Sequence, residues 1–311
     1  MRFKGLDLNL LVAFDALLET KSVSRAAERL NLSQPAMSAA LARLREYFGD
    51  EILVADGKRM HPTAHAESLL PQVRELLTGA DMLIATSTAF DPGTSQRAFR
   101  VIASDYITAA LLAPLIRRLS AVAPQVRIEI VAPDAQSDTL LDRGQVDVII
   151  TPAEFIESDH PAEVLFEEEH VVACCAANPA LKRGRIAEAD FMGAGHVGVS
   201  MGSTRTMTFG DRQLETMGRR RRIEIVASSF TVVPWLLIGT ARLAVMHARL
   251  AQAMKGYFPI AHAPLPFDFP VMREMIQVHR ARVGDGGLAW LRQQLRAAAQ
   301  GKSIHRSNGR A

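Results

Sequence analysis

The residues of this sequence best suited to chemistry lie on one short polar segment. Gln34 can form two hydrogen bonds with an adenine edge, Ser38 can bond several bases or a phosphate, and Ala39 can contact a thymine methyl group. At helical spacing they share a face with Pro35 and Ala42, whose side chains are also short. A helix that enters the major groove of DNA needs such a slim face near its N-terminus. The pattern therefore predicts recognition of base pairs.

Two short predicted helices position this face. The first covers residues 24–30, and the second follows a break at Asn31 and has Ser33 as its N-cap. Pro35 in the first turn removes an N–H that would be unpaired there anyway. The opposite side carries an apolar stripe at steps of four, three and four, formed by Met37, Leu41, Leu44 and Phe48. A helical hairpin inside some larger core would show the same two helices, so the flanking segments decide between these interpretations.

The flanking segments complete a winged helix-turn-helix pattern. Asp7 can cap a first helix that precedes the two short ones. After them, a strand-like segment ends in Asp56-Gly57, which is a hairpin turn signal, and a second strand returns. Lys58 and Arg59 are therefore predicted to lie on a wing and to contact phosphates.

The sequence AAERLNLSQPAMSAALARLR at residues 26–45 closely resembles the winged helix-turn-helix of LysR-type transcriptional regulators, within a resemblance that is specific over residues 8–63. The opening MRFKGLDLNLLVAFDALL is similar to the branch that contains NodD-type nodulation regulators and regulators of aromatic-compound degradation. Asp56 departs from the family, which often has a basic residue before this glycine. The predicted DNA-binding residues are Ser24, Ser33, Gln34, Pro35, Ser38, Ala39, Arg43, Arg45, Lys58 and Arg59.

Residues 64–89 carry a heptad-like apolar pattern, which is typical of a helix that pairs with another helix. Its members are spaced alternately three and four apart, and they are Ala66, Leu69, Val73, Leu76, Ala80 and Leu83. Pairing is favoured over the alternative, an amphipathic helix that lies on its own domain. Pro71 is expected to kink or interrupt this helix. The resemblance implies a linker helix that forms a homodimer, palindromic DNA sites, and dimers that often join into a homotetramer.

The composition limits the class of protein. The chain has 311 residues, 48% of them hydrophobic, which is enough for two or three domains with their own cores. No run of roughly 18 uncharged apolar residues occurs, so no membrane partner is expected. The absence of a signal pattern and of a disulfide framework predicts a cytoplasmic location. Because the net charge of +3 comes mainly from the C-terminal residues, the DNA prediction depends on geometry.

Beyond the linker, strands alternate with helices, which predicts parallel α/β sheets. The resemblance implies the same architecture, because the effector domain of the family resembles a periplasmic binding protein with two subdomains. The predicted division is 1–63 for the DNA-binding domain, 64–89 for the linker helix, 90–96 for a hinge, 97–300 for the effector domain (subdomain I at about 97–165 and 268–300, subdomain II at about 166–267), and 301–311 for a disordered basic tail.

The cleft between the subdomains is the predicted ligand site, because open α/β sheets bind ligands beyond the carboxyl ends of their strands. Four of the five predicted strand ends carry hydroxyl groups, which can bind a ligand or only cap helices. The predicted effector-binding residues are Ser104, Asp105, Tyr106, Thr151, Pro152, Ser203, Thr204 and Phe230. The branch resemblance implies a small aromatic acid or a flavonoid-like effector. Candidate aromatic walls are Tyr106, Phe155, Phe209, Phe230 and Trp235.

These features predict a sequence-specific transcriptional activator under effector control, with double-stranded DNA as partner and RNA polymerase as a further candidate. The alternatives are a small-molecule-binding protein or a hydrolase-like enzyme that uses Ser104, Asp105 and a distant histidine. No P-loop, GxGxxG or GxSxG sequence occurs, and the histidines lack metal-ligand spacing, so no catalytic residue, cofactor or metal is predicted. The run Arg219–Arg222 is expected to be a solvated loop, and Cys174-Cys175 to be packed in the core.

Overall fold

The computed structural model describes residues 7–56, 59–85, 90–201 and 206–301. The chain forms two compact units, residues 1–88 with 142–144 and residues 89–141 with 145–311. The first unit contains the helices α1 (Leu8–Thr20), α2 (Val23–Arg29), α3 (Gln34–Phe48) and α4 (Ala64–Ala85), and a hairpin of the strands β1 (Leu53–Asp56) and β2 (Arg59–Pro62).

Side-chain caps fix where the first three helices begin. Asp7 accepts a hydrogen bond from the Asn9 N–H at 2.9 Å, and the Ser22 hydroxyl accepts from the Arg25 N–H at the start of α2. The Ser33 hydroxyl accepts from the Ala36 N–H at 3.3 Å. The predicted caps at Asp7 and Ser33 are therefore confirmed, and each satisfies a backbone donor that the helix itself leaves unpaired.

The chain enters the wing through a strained residue. Ile52 is fully buried and has a φ of 61°, a left-handed conformation that β-branched residues rarely adopt. The Asp50 carboxylate holds it there by accepting from the Ile52 N–H at 2.7 Å and from the Thr63 hydroxyl at 2.6 Å. The hydrogen bond from Thr63 lowers the pKa of Asp50. The two ends of the wing are thus joined at one carboxylate.

The helix α4 continues through Pro71, so the predicted interruption at this residue does not occur. Part of its apolar stripe packs on its own unit, because Ala66 and Val73 are buried in the core that α1 and α3 also form. Leu76 remains 59% exposed. Part of the apolar stripe therefore stabilises the domain to which the helix belongs, and Leu76 is left exposed, where another helix could pack against it.

The second unit contains two sheets with helices around them. Its strands are β3 (Ala98–Ile102), β4 (Arg127–Val131), β5 (Val148–Pro152), β6 (Ala162–Glu168), β7 (His170–Cys175), β8 (Gly195–Met201), β9 (Thr206–Met207), β10 (Arg222–Ala227), β11 (Leu243–His247), β12 (Ile260–Pro264) and β13 (Met272–Gln277). Its helices are α5 (Asp105–Ile107), which leads through a π turn at Thr108–Leu112 into α6 (Ala113–Val122), then α7 (Ser137–Asp142), α8 (Glu188–Gly193), α9 (Phe209–Thr216), α10 (Val233–Leu237), α11 (Ala248–Lys255) and α12 (Gly286–Ala299), with 3₁₀ turns at Ala153–Phe155 and Arg280–Arg282.

The strands divide into two subdomains as predicted. The first sheet has the order β4-β3-β5-β13-β6 and the second β10-β8-β11-β7-β12, with β9 beside β8. The chain crosses between them at Glu169 and again between β12 and β13. The predicted parallel pairing is present for β3 with β4 and β5 and for β8 with β10 and β11. The sheets are nevertheless mixed, because β13 runs antiparallel to both neighbours and β7 runs antiparallel to β11 and β12. These are the strands on which the chain arrives in the other subdomain.

The segment predicted to be a hinge is packed against the second unit. Phe90 contacts Trp290, with ring centroids 5.2 Å apart, and Phe99 at 6.0 Å. Just after it, the Arg97 guanidinium bonds to Asp285 at 2.6 Å, and Asp285 also caps α12. The aromatic and ionic contacts therefore anchor the start of the effector unit.

Candidate nucleic-acid interface and ligand cleft

The predicted recognition face of α3 is exposed within its unit. Gln34, Pro35, Ser38, Ala39 and Arg43 all reach solvent. The buried residues of the helix are on the other side, and they are Met37, Leu41 and Leu44. Burial on one side and short side chains on the other leave a surface that a major groove can accept.

The remaining predicted DNA-binding residues lie outside the exposed face of α3. Ser24 is exposed in the first turn of α2. The Ser33 hydroxyl is used as the cap of α3. Lys58 lies outside the described residues, and Arg59 is described only by its backbone, which pairs with Asp56 across the wing.

Arg45 supports the wing. Its Nε donates to the Glu51 carbonyl at 2.9 Å, and one Nη donates to the Leu53 carbonyl at 3.0 Å. The same guanidinium pairs with the Glu51 carboxylate at 3.1 Å. These contacts of the Arg45 guanidinium hold β1 against α3, so this side chain positions the wing.

A cavity of about 340 Å³ lies in the second unit and is lined from both sheets. Five predicted effector-binding residues line it: Ser104, Tyr106, Thr151, Pro152 and Phe230. Ser203 and Thr204 lie outside the described residues. Of the candidate aromatic walls, Phe155 and Phe209 also line the cavity. Trp235 does not line it, since this residue is 67% exposed and packs against Phe258.

Ser104 caps a helix and also lines the cavity. Its hydroxyl accepts a hydrogen bond from the Ile107 N–H at 3.3 Å and so caps α5. The same residue is part of the cavity wall. Its placement at the carboxyl end of β3 explains both roles, because the strand end opens into the cleft and the helix begins there.

Asp105 joins the subdomains instead of lining the cavity. One carboxylate oxygen accepts from the Ser229 hydroxyl at 2.6 Å, from the Thr231 N–H at 2.7 Å and from the Thr231 hydroxyl at 2.9 Å. Asp105 follows β3 of the first sheet, whereas Ser229 and Thr231 follow β10 of the second. The predicted ligand contact at Asp105 is therefore replaced by an internal contact across the cleft.

Tyr106 is buried at the base of the cleft. Its ring stacks on His247, with centroids 3.7 Å apart and planes 3° from parallel, and meets the edge of Phe230 at 6.4 Å. Its hydroxyl donates to the Glu168 carboxylate at 2.7 Å. Burial raises the pKa of Tyr106 far above its ordinary value, and the carboxylates of Glu168 and Glu274 raise it further, so the phenol stays neutral.

Glu168 is buried and bonds to both Tyr106 and Arg249. Besides the Tyr106 hydroxyl, it accepts from the backbone N–H of Arg249 at 2.9 Å and pairs with the Arg249 guanidinium at 3.1 Å. Burial raises the pKa of Glu168, while these partners oppose the shift. A carboxylate with this many donors forms a stable contact between β6 and α11.

Two buried histidines, His170 and His247, lie on strands of the second sheet, and His247 lines the cavity. Burial lowers the pKa of His170 to about 4, and burial together with His170 lowers the pKa of His247 well below its ordinary value. Both imidazoles are therefore neutral near pH 7. His170 stacks on Phe209, with centroids 5.3 Å apart, so the pair extends the aromatic wall.

Glu274 is a buried polar residue of the cleft that the sequence analysis did not predict. It is only 2% exposed and lines the cavity, and one of its oxygens, Oε2, has no hydrogen-bond partner among the described residues. Burial raises its pKa to about 8, with further contributions from Glu168 and Glu154. A glutamate inside a strand of buried residues, MREMIQ, is the signal that was available in the sequence.

Comparison with known families decides the identity. Residues 8–67 match the bacterial regulatory helix-turn-helix family of LysR proteins, and residues 92–300 match the LysR substrate-binding domain. The chain belongs to the LysR family. It is a transcriptional regulator with a DNA-binding helix-turn-helix and a substrate-binding domain. In the part of this LysR-family chain that the structure describes, no helix is long and apolar enough to cross a membrane.

Individual relatives indicate which branch of the LysR family this chain resembles. The chain is 41% identical to nodulation protein D 2 of Bradyrhizobium elkanii over 95% of its own length and 89% of the relative's. It is also 41% identical to nodulation protein D 1 of Mesorhizobium japonicum, over 95% and 94% of the two chains. This LysR-type chain is thus NodD-like, as the opening of the sequence indicated.

Solved structures support the same fold. A probable transcriptional regulator from Pseudomonas aeruginosa, PA0477, matches with a TM-score of 0.62 and 31% identity over 97% of this chain and 99% of that one. A full-length OxyR variant from the same organism matches with a TM-score of 0.71 and 21% identity over 96% of each chain, which shows the fold alone. The predicted architecture of the LysR-type chain is confirmed.

The arginines at 219–222 differ in their salt bridges and in their exposure to solvent. The Arg219 guanidinium pairs with Glu188, and Arg221 pairs with Asp211. The Arg221 side chain is only 5% exposed, so the expectation of a fully solvated run is wrong for this residue. Arg222 is mostly exposed. Cys174 and Cys175 are both buried and free, which confirms packing in the core.

Proposed function

We propose that this protein binds operator DNA as a homodimer and activates transcription when a small aromatic or flavonoid-like molecule occupies the cleft of its substrate-binding domain. The observation that carries the proposal is the exposed, slim face of α3, with Gln34, Ser38 and Ala39 toward solvent. These side chains suit adenine edges, phosphates and thymine methyl groups. The face lies on a helix whose other side is fully packed.

Two features support a dimer: the exposed apolar residue on α4 and the two-fold symmetry of palindromic operators. Leu76 is a large apolar residue left exposed at a position of the heptad-like stripe. A second copy of the helix would cover it, and a two-fold dimer presents two copies of α3 to a palindromic site. Pairs of dimers would form the homotetramer.

The cleft suits an aromatic molecule of moderate size. Its volume of about 340 Å³ falls within the usual range for small-molecule sites, and Tyr106, Phe155, Phe209 and Phe230 line it. Two of the curated relatives are named nodulation protein D, and their similarity extends over the effector domain. These observations favour a flavonoid-like compound or an aromatic acid as the effector.

The effector would act by changing how the two subdomains approach each other. A ligand bound between the sheets makes contacts that exist only in one arrangement of the cleft, and it shifts the population toward that arrangement. The dimer would then alter the spacing of its DNA-binding domains and its contact with RNA polymerase. A cytoplasmic site of action is part of this proposal.

The hydrolase-like alternative loses its main candidates. Ser104 is the cap of α5, and the carboxylate of Asp105 is bonded to Ser229 and Thr231. A catalytic set would need that carboxylate to orient a histidine.

Footprinting with and without ligand tests the proposal. The full-length protein is incubated with its upstream DNA and a panel of hydroxylated flavones and aromatic acids. A protected palindrome whose boundaries change with one class of compound supports the proposal. Calorimetry with that compound on Ser104→Ala and Phe230→Ala should show weaker binding, and unchanged affinity in both would contradict the cleft as the effector site.

A further inference from the structure

The inference concerns the chemistry by which the cleft recognises its ligand, and it rests on the proposed effector function. Glu274 lies on β13, the strand between β5 and β6 in the first sheet. Its pairing with β6 is irregular at this point, because Glu274 lies opposite Phe166 and Met275 opposite Val164. Such bulges reorient side chains and are frequent next to functional sites. The irregularity accompanies a buried carboxyl group on the cavity wall.

The described residues around Glu274 offer no matching charge. The neighbouring acidic groups are Glu168 on β6 and Glu154 in the 3₁₀ turn after β5, and both oppose ionisation of Glu274. Arg249 on α11 is bonded to Glu168, so its charge is already matched. From the second sheet, the neutral His247 faces the cavity, and the Tyr106 hydroxyl is committed to Glu168. Among the described residues that line the cavity, none is a lysine or an arginine.

A buried carboxyl group in this setting is stable only with a proton. Burial and its acidic neighbours raise the pKa of Glu274 to about 8, so the group is a neutral carboxylic acid near pH 7. A neutral carboxylic acid carries one O–H donor. Its Oε2 is buried and has no hydrogen-bond partner among the described residues, and the side chain lines the cavity, so the O–H can turn toward a bound molecule.

We propose that Glu274 is a specificity-determining residue that donates a hydrogen bond to an uncharged carbonyl oxygen of an aromatic ligand. The ring system of the ligand packs against the wall that Tyr106, Phe209 and Phe230 form, and its carbonyl group faces β13. Ionisation of Glu274 removes the donor and places a second charge beside Glu168. Ligand affinity therefore falls as pH rises through the value at which Glu274 loses its proton.

The test uses the full-length protein and two probes without ionisable groups: flavone, and 2-phenyl-4H-chromene, in which a methylene group replaces the carbonyl. Calorimetry is performed near pH 6.5 and pH 9 on wild type, Glu274→Gln, Glu274→Leu and Phe230→Ala. Wild type should bind flavone about tenfold more weakly at the higher pH, since roughly a tenth of Glu274 remains protonated there. Glu274→Gln keeps an N–H donor at both values and should show no pH dependence, whereas Glu274→Leu should bind flavone weakly at both. The chromene should bind wild type, Glu274→Gln and Glu274→Leu alike.

Other outcomes separate the two proposals. Flavone binding that is weakened by Phe230→Ala but insensitive to pH and to Glu274→Leu would overturn the role of Glu274 and leave the effector site intact. Equal binding to wild type, Phe230→Ala and Glu274→Leu would place the compound outside the cleft and overturn both. Failure of wild type to bind flavone while it still binds DNA would overturn the carbonyl ligand class. Cooperative unfolding of each variant is checked at both pH values.

Discussion

Asp105 and Thr231 connect the two subdomains of the effector domain through a single carboxylate oxygen, which accepts from the Thr231 N–H at 2.7 Å and from its hydroxyl at 2.9 Å. The two residues follow strands of different sheets, so the contact closes one side of the cleft. Ser229 adds a third donor. Charge-assisted bonds of this kind are stronger than neutral ones. The contact therefore limits how far the subdomains can separate.

Replacement of this carboxylate should loosen the domain. Asp105→Ala leaves the donors of Ser229 and Thr231 without their partner, and we expect a loss of about 1–3 kcal/mol in the free energy of unfolding. Ser229→Ala removes only one donor and should cost less. Urea denaturation of both variants measures the difference. An unfolding free energy for Asp105→Ala equal to that of wild type would show that the contact contributes no stability.

Glu274 should make the stability of the protein depend on pH in a defined direction. Its pKa is about 8 in the folded protein and near the ordinary 4.5 in the unfolded chain, so the folded state binds more protons between these values. Stability contributed by this group is therefore lost as pH rises, by at most about 1.4 kcal/mol per pH unit.

The comparison with Glu274→Gln isolates this effect. Because the pKa values of His170 and His247 are lowered, these residues reduce the free energy of unfolding as pH falls below the ordinary histidine pKa. Both proteins contain them, so their contribution cancels in the comparison. The stability of the variant relative to wild type should increase from about pH 5 to pH 8 and then level off. Urea denaturation across this range measures it. A constant difference would contradict a buried, protonated Glu274.

The wing should contribute to affinity without reading sequence. Replacement of Lys58 by alanine is expected to weaken binding to all DNA duplexes alike, because a phosphate contact carries no base information. The slope of log K against log salt should decrease by about one. Fluorescence anisotropy at several salt concentrations, with operator and scrambled duplexes, measures both effects. A selective loss of operator binding would assign Lys58 to base recognition instead.

Local patterns in the sequence were sufficient to predict the DNA-binding unit. The stripe from Met37 to Phe48 and the caps at Asp7 and Ser33 are set by residues within a few positions of one another, and the structure has them as predicted. Arg45 was assigned to DNA because its type and position fit, but its contacts with Glu51 and Leu53 depend on how the wing folds back.

The cleft depends on contacts between distant segments, and there the sequence was less informative. Strand ends identified Ser104, Thr151 and Phe230, since Thr151 lies at the end of β5, Ser104 two residues after β3 and Phe230 three residues after β10. The group formed by Glu168 and Glu274 was missed because β6, which is interrupted by charges, was not recognised as a strand. Periodicity also carries no information about strand direction, so the antiparallel placement of β7 and β13 was not predicted.

The most direct test of the central claim compares wild type with Gln34→Ala in binding to the footprinted operator and to a scrambled duplex. Because Gln34 is exposed at the start of α3 and can pair with an adenine edge, the variant should lose about 1–3 kcal/mol of discrimination while its binding to scrambled DNA is unchanged. Glu46→Ala, an exposed change in the last turn of the same helix, is the matched control and should keep full discrimination. Operator preference that survives Gln34→Ala intact would contradict the assignment of this face to base recognition.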